Sequence, residues 1–556
     1  MNIVGINGSS HNASVVLMKN DEIIFHLESE RLSHIKYDNF PFLAMSKIKE
    51  YVDHVDIIAF SGFNNTHPYD YGKVANVYQA YIFGLHKTFN DYSENTRFYD
   101  FGPQHHAMHA SCAFYNSGFT DSLVVVKDAA GSVIKSQNSL EQHMIGRESS
   151  SFFLMEYPYE SKLIKQHQTV PFKLHNETKW ISDEIYQTNS VSEGSAFDLY
   201  AEASGFTSHD AGKIMGMSAY GKYEKKVPNI YLNGLINKGI FSFETINKSG
   251  FNYSGVDFND FQSKANFAYA LQKQIQDKVA IEILEMLKKT KKKQLCLSGG
   301  FFLNCVSNYN LLKQLPKNVE IYVEPIATDA GTAIGAAKTA YYLETKSKKI
   351  NKQNTIYYGP KYKYTEDDFI KEKSIKDVKP SYVAKLISEK NIVAIYQGGS
   401  ESGPRALGNR SILYDPRDPN GKDHVNKVKN REWFRPFAGT VLQEHANEWF
   451  DLYSIKESKF MMFAVNVKED KRHKIPAITH IDGSCRVQTL KEEDNKNFYS
   501  LIKEFYKITD VPILFNTSFN LAGDTIVETL EDALWTFHNS EINYLYLPEL
   551  KILIKK

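Results

Sequence analysis

Four histidine and aspartate side chains are spaced so that they could bind a divalent metal. His105 and His109, in the stretch HHAMHA, are four residues apart and share one face of a helix. Asp128 and Asp329 each follow a strand-like apolar stretch, and carboxylates at strand ends lie where open α/β sheets bind ligands. Together they form a donor set suited to iron(II), manganese or zinc. Alternatively, these are packed histidines and aspartates of turns or helix caps.

Glycine-rich turns could bind the phosphates of a nucleotide. The turns at 298–300 and 329–331 each follow a predicted strand and precede a predicted helix, and a third turn lies at 127–131. Such turns direct backbone N–H groups and a helix N-terminus towards an anion. A left-handed turn also needs glycine for steric reasons alone. The candidate phosphate-binding residues are Gly131, Gly299 and Gly300.

A third group of candidate residues is basic and lies in the last third of the chain. Guanidinium groups beside Ser and Asn side chains suit the oxygens of phosphate or carboxylate. The alternative is a set of surface ion pairs with Asp415, Glu432 and Asp482. The members of this group are Arg405, Arg410, Arg417, Lys429, Arg431, Arg435, Arg486, Asn516, Ser518 and Asn520.

The apolar patterns around these residues predict an α/β protein with a duplicated first domain. A strand–polar-loop–strand pattern at 3–27 recurs after residue 122, more than 100 residues later, which indicates duplication. Apolar residues at three- and four-residue spacing from Ala268 to Leu287 predict a long helix with a buried stripe. A helix of small residues is predicted after Asp329.

A polar, charged stretch at 343–353 predicts a linker between two domains. We expect a first domain at 1–345, a linker at 346–378 and a second domain at 379–556. A helix near 382–390 and a strand at 392–396 are predicted at the start of the second domain.

The composition is that of an ordinary globular protein. Of 556 residues, 42% are hydrophobic. The chain has 66 basic and 65 acidic residues, a formal net charge of +1. A net charge this small produces no overall field that would draw the molecule to nucleic acid or anionic lipid. No apolar run approaches the roughly 20 residues of a membrane span, and the N-terminus lacks a secretory signal pattern. Four scattered cysteines predict neither a disulfide framework nor a zinc site. We therefore expect a cytoplasmic protein without membrane contact.

Taken together, the motifs resemble those of the O-carbamoyltransferases that modify nodulation oligosaccharides and antibiotics. The similarity spans nearly the whole chain, and the motifs follow the family's order. They are ESERLSHIK (28–36), QHHAMHA (104–110), GKIMGMSAYGK (212–222), LSGGFFLNC (297–305), EPIATDAGTAIGAA (324–337), GPRALGNRS (403–411), REWFRPFA (431–438), THIDGSCRVQT (479–489) and NTSFN (516–520).

This resemblance implies a fold and a reaction. The first domain is expected to be a duplicated actin-like (ASKHA, RNase H-like) domain, similar to the tRNA threonylcarbamoyltransferase. The second is expected to be an α/β domain similar to threonylcarbamoyl-adenylate synthase. Family members use carbamoyl phosphate and ATP, the latter with Mg²⁺, to form carbamoyl-adenylate. The carbamoyl group then passes to a substrate hydroxyl beside a metal, usually described as iron(II).

The resemblance also assigns residues by position. His105, His109, Asp128 and Asp329 match the metal ligands. His11 and Lys36 are the candidate catalytic residues. An imidazole is poised near neutral pH, so His11 in the first polar loop is predicted to take the proton of the acceptor, with a loop hydrogen bond or an adenylate contact as the equal alternative. The residues in motifs lining the adenylate are His11, Lys36, Gly299, Gly300 and Asn304. The residues in the carbamoyl-phosphate and ATP region are Arg405, Lys429, Arg431, Arg486, Asn516, Ser518 and Asn520.

Several alternatives stay open at this point. The chain could be a tRNA threonylcarbamoyl-transfer protein, an actin-fold ATP-binding module, or a sugar or acetate kinase. The acceptor could be a sugar, an antibiotic-like small molecule, or a hydroxymethylated pyrimidine in a nucleotide or DNA. Segments 60–100 and 140–210 are the expected walls of its pocket, with core packing as the alternative. A monomer and a homodimer are both compatible with the sequence.

Overall fold

The computed structural model describes residues 1–8, 11–62, 96–135, 144–170, 179–242, 250–369 and 371–556. The chain forms two compact units. Unit 1 comprises Met1–Ile24 and Tyr37–Gln353, and unit 2 comprises Phe25–Lys36 and Asn354–Lys556. The change of unit after Gln353 falls within the stretch 346–378, for which we predicted a linker. Much of the segment 60–100 lies outside the described residues.

The first sheet of unit 1 has five strands in the order β3-β2-β1-β4-β5. The central strand β1 pairs antiparallel with β2 and parallel with β4, and β4 pairs parallel with β5. The strand β3 begins in unit 1 and ends in unit 2. The strands are β1 (Asn2–Asn7), β2 (Ser14–Lys19), β3 (Glu22–Glu28), β4 (Ile57–Phe60) and β5 (Arg97–Asp100).

A second sheet in unit 1 repeats this topology. It contains the strand order β9-β8-β6-β14-β15, in which β6 pairs antiparallel with β8 and parallel with β14. The repeated order confirms the duplicated α/β fold predicted for the first domain. Its strands are β6 (Asp121–Lys127), β7 (Val133–Lys135), β8 (Met144–Glu156), β9 (Glu160–Thr169), β10 (Lys179–Trp180), β11 (Ile185–Thr188), β14 (Gln294–Ser298) and β15 (Glu320–Val323). A separate hairpin consists of β12 (Tyr231–Leu232) and β13 (Leu235–Ile236).

The described helices of unit 1 confirm two sequence predictions. The long helix spans Phe261–Thr290, and the predicted stripe from Ala268 to Leu287 is buried. The small-residue helix spans Ala330–Thr345 and lies so close to its neighbours that a Cβ on Gly335 would meet the Met108 carbonyl oxygen at 2.0 Å. The helices are α2 (Phe42–Ser46), α3 (His105–Ser117), α4 (Glu193–Ala203), α5 (Ala211–Ser218), α6 (Phe261–Thr290), α7 (Cys305–Leu312) and α8 (Ala330–Thr345). The short α1 (Glu30–Ser33) belongs to unit 2.

Unit 2 is built on a mixed nine-stranded sheet in the order β16-β24-β23-β17-β18-β22-β19-β21-β20. Its strands are β16 (Ser374–Ile375), β17 (Val393–Tyr396), β18 (Arg410–Tyr414), β19 (Ala438–Leu442), β20 (Ala464–Asn466), β21 (Ser484–Leu490), β22 (Ile513–Ser518), β23 (Tyr544–Leu547) and β24 (Ile552–Lys555). Its further helices are α9 (Pro380–Ser388), α10 (Gly421–Val428), α11 (Ala446–Trp449), α12 (Lys496–Thr509) and α13 (Leu530–His538). The predicted helix near 382–390 and strand at 392–396 are therefore confirmed as α9 and β17. Within the described parts of the chain, no helix combines the length and apolar character of a membrane span.

Candidate active site

Unit 1 brings the four predicted metal-binding side chains to one point. One ligand atom of each of His105, His109, Asp128 and Asp329 lies within 4.8 Å of the others, and all four residues are buried. The Nε2 atoms of the two histidines are 3.1 Å apart. Asp128 Oδ2 and Asp329 Oδ1 each lie 3.5 Å from His105 Nε2.

Three elements of the duplicated fold position these side chains. The two histidines occupy the first two turns of α3, where the four-residue spacing places them on one face. Asp128 directly follows β6, and Asp329 directly precedes α8. Because β6 and β15 are separated only by β14 in the sheet, their carboxyl ends present both aspartates at the same edge.

The electrostatics of this cluster suit a cation. Burial opposes a charged His105, but the Asp329 and Asp128 carboxylates outweigh it and raise the pKa of His105 to about 10. The negative charge that holds a proton on this imidazole would equally hold a divalent cation among the four side chains. Two nitrogen and two oxygen donors match iron(II), manganese or zinc, so the residues present fit a metal of this kind.

His11 lies beside this cluster and is partly exposed. Its Nε2 atom is 3.7 Å from Asp329 Oδ2, and its Nδ1 atom hydrogen-bonds with Asn12 Oδ1 at 2.8 Å. The carboxylate of Asp329 raises the pKa of His11. The His209 ring follows at 5.5 Å from the His11 ring. The His11 imidazole therefore lies between the buried Asp329 and the exposed His209.

The glycine turns occupy different positions in unit 1. The Gly300 N–H donates to Asp128 Oδ1 at 3.3 Å, which places the 298–300 turn next to the cluster of two histidines and two aspartates. The side chain of Asn304 caps α7 by accepting from Ser307 N and also donates to Gln272. Gly131 packs instead against the His106 ring, which a Cβ at this position would meet at 2.6 Å.

In unit 2, three of the predicted phosphate-region residues form one hydrogen-bonded group. Lys429 Nζ donates to the Ser518 and Asn520 carbonyl oxygens and to Asn520 Oδ1. Ser518 Oγ also donates to Asn520 Oδ1. Burial and the neighbouring cations Arg431, Arg435 and Lys36 hold the pKa of Lys429 well below its usual value. Lys36 thus belongs to this basic group, whereas His11 lies in unit 1.

Arg486 and Asn516 lie on the two strands that flank β19 in the sheet of unit 2. Ala438 on β19 is paired with Arg486 on β21 and with Asn516 on β22. Asn516 Nδ2 also donates to the carbonyl oxygen of Ala406, the residue after Arg405, at 3.4 Å. Burial and the charges of Arg435 and Arg486 lower the pKa of Arg431. Such a concentration of buried positive charge is a typical anion site.

Three other arginines of the basic group have structural partners. Arg410 is fully buried and donates to the carbonyl oxygens of residues including Gln397 and Glu528. Arg417 forms an ion pair with Asp415 at 2.6 Å, and Arg435 forms one with Glu432 at 3.4 Å. Arg417 and Arg435 thus form ion pairs with acidic residues that the alternative interpretation names, whereas Arg410 is held by backbone carbonyl oxygens.

Three polar residues around the cluster of two histidines and two aspartates were not predicted from the sequence. The His209 ring lies 5.5 Å from the His11 ring. The charges of Asp128 and His11 both shift the pKa of Asp198. Burial and the Asp128 carboxylate raise the pKa of Asp198 to about 8. Glu148, on β8, accepts the backbone N–H of His106 at 3.4 Å. Each is brought to the cluster by tertiary packing, and no motif in the sequence marks any of them.

Comparison with known proteins places the chain in a family. The model of the carbamoyltransferase N-terminus matches residues 73–338, and that of the carbamoyltransferase C-terminus matches residues 384–555. The chain therefore belongs to the carbamoyltransferase family. This membership confirms the resemblance to O-carbamoyltransferases seen in the sequence motifs and makes the chain a carbamoyl-transferring enzyme.

Two relatives are similar over most of the chain. Nodulation protein NolNO of Sinorhizobium fredii is 30% identical over 595 residues, which cover 99% of this chain and 80% of the relative. An uncharacterised protein of Methanocaldococcus jannaschii is 33% identical over 464 residues, covering 80% and 72% of the two chains. The crystal structure of HypF from T. kodakarensis is similar at 15% identity and a TM-score of 0.38, covering 62% of this chain and 48% of the other.

Proposed function

We propose that the protein is an ATP-dependent O-carbamoyltransferase that converts carbamoyl phosphate into carbamoyl-adenylate and transfers the carbamoyl group to a hydroxyl of an acceptor. The observation that carries this proposal is the convergence of His105, His109, Asp128 and Asp329, with His11 3.7 Å from Asp329, in a member of the carbamoyltransferase family. A kinase needs no such imidazole pair, which speaks against the kinase alternative.

The basic group of unit 2 suits the adenylate-forming half of the reaction. Water cleaves carbamoyl phosphate to carbamate and inorganic phosphate. A carbamate oxygen then attacks the α-phosphorus of ATP, and pyrophosphate leaves. Charge-assisted hydrogen bonds from Arg405, Arg431 and Arg486 would hold the phosphate oxygens, and ATP would enter with its Mg²⁺. The mixed anhydride with AMP gives the carbamoyl carbon a good leaving group.

The metal-binding cluster of unit 1 suits the transfer half. A divalent cation held by the two histidines and two aspartates, iron(II) or another of the set named above, would supply Lewis-acid polarisation of a carbonyl oxygen. His11 would take the proton of the acceptor hydroxyl while its oxygen attacks the carbamoyl carbon, and AMP leaves. The Asp329 carboxylate, which raises the pKa of His11, would stabilise the imidazolium that forms.

The acceptor we propose is a hydroxyl of a sugar or other small molecule. A hydroxymethylated pyrimidine in a nucleotide or DNA is the alternative. The test is mass spectrometry of an acceptor panel of sugars, nucleosides and modified DNA, incubated with the full-length protein, carbamoyl phosphate, ATP, Mg²⁺ and iron(II). We expect one acceptor class to gain the mass of one carbamoyl group. No gain on any hydroxyl, together with ADP formation, would support a kinase instead.

The role of His11 has its own test. His11→Asn should leave pyrophosphate release dependent on carbamoyl phosphate and abolish carbamoylation of the acceptor. His54→Asn is the matched control, because His54 is an exposed histidine of unit 1. Unchanged acceptor carbamoylation by H11N would remove the general-base role and leave a binding contact as the interpretation.

A further inference from the structure

The helix that carries His105 and His109 is not capped by its own sequence. The first N–H groups of a helix have no partner within the helix and need acceptors from elsewhere. The residue before α3, Gln104, provides no side-chain hydrogen bond to these groups. Instead, His105 N donates to Ser132 Oγ at 2.9 Å, and His106 N donates to Glu148 Oε2 at 3.4 Å. The N-terminus of α3 is therefore held by Glu148 on β8 and by Ser132 in the loop before β7.

Glu148 is the centre of this cap. It is buried at 9% exposure, and its Oε2 atom also accepts from Ser132 N at 3.0 Å. A Cβ on Gly131 would meet Glu148 Oε2 at 2.8 Å and the His106 ring at 2.6 Å, so only glycine allows this close packing. The Glu148 carboxylate thus accepts hydrogen bonds both from α3 and from the loop that contains Ser132. Ser132 is in turn the second acceptor for the N-terminus of α3.

A row of three hydrogen-bonded glutamines holds Oε1, the other oxygen of the Glu148 carboxylate. Gln166 Nε2 donates to Glu148 Oε1 at 2.9 Å. Gln168 in turn donates to Gln166 at 2.6 Å, and Gln187 donates to Gln168 at 2.9 Å. All three glutamines are buried. Because every donor in this row points towards Glu148, the row stabilises the carboxylate as an acceptor.

We propose that Glu148 is a positioning residue of the metal centre, which fixes the first turn of α3 and thereby the direction of the His105 and His109 imidazoles. This inference rests on the proposed metal-dependent function. A negative charge at a helix N-terminus also stabilises that end of the helix. Without this cap, the first turn, which contains His105, would fray and the imidazoles would lose their shared direction. Outer-shell partners of this kind typically change metal affinity 10- to 100-fold.

The test measures metal binding rather than activity. Metal-free full-length protein is titrated with Co²⁺ alone, and the dissociation constant and the visible absorption of the bound ion are recorded. We expect Glu148→Ala to bind Co²⁺ about 10- to 100-fold more weakly, with an altered absorption band. Glu148→Gln retains one acceptor oxygen for the helix but turns an NH2 group towards Gln166 Nε2, so it should recover part of the affinity. Ser132→Ala, a milder change, should move in the same direction as E148A and serves if E148A does not fold.

Glu324→Gln is the matched control. Glu324 is also buried in unit 1, and it accepts from Asn116 at the opposite end of α3 at 3.0 Å. E324Q should lower the melting temperature without changing the Co²⁺ dissociation constant or spectrum. Wild-type Co²⁺ binding in E148A and S132A, or an equal loss in E324Q, would overturn the proposal. If wild-type protein bound Co²⁺ no better than an H105A/H109A double variant, the metal centre itself would fail, which is a separate outcome.

Discussion

The Nε2 atoms of His105 and His109 face each other at 3.1 Å in the interior of unit 1, with two aspartate carboxylates beside them. Imidazole nitrogens at this distance need a proton or a cation between them. The cost of burying two carboxylates without a positive partner is high, so the cluster is stable only when it holds positive charge. The geometry therefore supports the proposal that these four residues bind a divalent metal.

The first prediction concerns metal content. His109→Ala removes one of the four donors, and we expect the purified protein to lose most of its bound transition metal. Elemental analysis of wild type and variant measures this directly. His167→Gln is the control, because His167 is also a buried histidine of unit 1 but bonds to Thr188 Oγ1 instead. Full metal occupancy in H109A would show that the cluster is not the binding site.

The second prediction concerns the close contact of α3 and α8. Gly335→Ala would place a methyl group 2.0 Å from the Met108 carbonyl oxygen, so the two helices must separate. We expect the free energy of unfolding to fall by about 1–3 kcal/mol, the usual cost of overpacking. Chemical denaturation measures this cost. Gly212→Ala, which meets no atom within 4 Å, should be neutral or slightly stabilising. Equal stability of the two variants would contradict the close contact.

The third prediction concerns pH and the buried Lys338. Burial lowers the pKa of Lys338 from 10.5 to about 8 in the folded protein. Between these values the unfolded chain binds more protons than the folded chain, so stability rises with pH in this window. Its slope is at most about 1.4 kcal/mol per pH unit. Lys338→Met removes this contribution.

Urea denaturation of wild type and K338M between pH 8 and 10.5 measures the difference. The wild type should gain stability relative to the variant as the pH rises. Parallel curves for the two proteins would mean that Lys338 titrates normally. Lys338 donates to Asn116 Oδ1 at 2.7 Å, and the loss of this hydrogen bond in the variant shifts its stability without changing the slope with pH.

The fourth prediction concerns the basic group of unit 2. Arg486→Lys keeps the charge but loses at least one charge-assisted hydrogen bond, worth about 1.5–3 kcal/mol. We expect the dissociation constant of carbamoyl phosphate, measured by calorimetry, to rise about 10-fold or more. Arg417→Lys is the control, because Arg417 pairs with Asp415. If R417K weakened binding as much as R486K, the effect would be general rather than local.

The sequence predicted the elements whose signals are local. The long helix α6, the small-residue helix α8 and the duplicated strand pattern all follow from periodicity or repetition. The pairing of His105 with His109 is equally local, because four-residue spacing on a helix decides it.

The remaining features depend on tertiary contacts that periodicity does not encode. The segment Phe25–Lys36 belongs to unit 2 although it starts within β3, a strand whose first residues belong to unit 1. Glu148 lies where the register of β8 with β9 shifts between Glu148 and Ser150, and such an irregularity breaks the simple alternation of a strand. Arg410 shows a further limit, since an arginine that bonds to backbone carbonyls has the same sequence signature as one that binds phosphate.

The most direct test of the account is product analysis of the first half-reaction. Full-length protein is incubated with ATP and Mg²⁺, with and without carbamoyl phosphate, and the nucleotides and phosphates are separated. The account predicts pyrophosphate release that requires carbamoyl phosphate, and AMP release when a hydroxyl acceptor is added. Formation of ADP in place of AMP and pyrophosphate would contradict it.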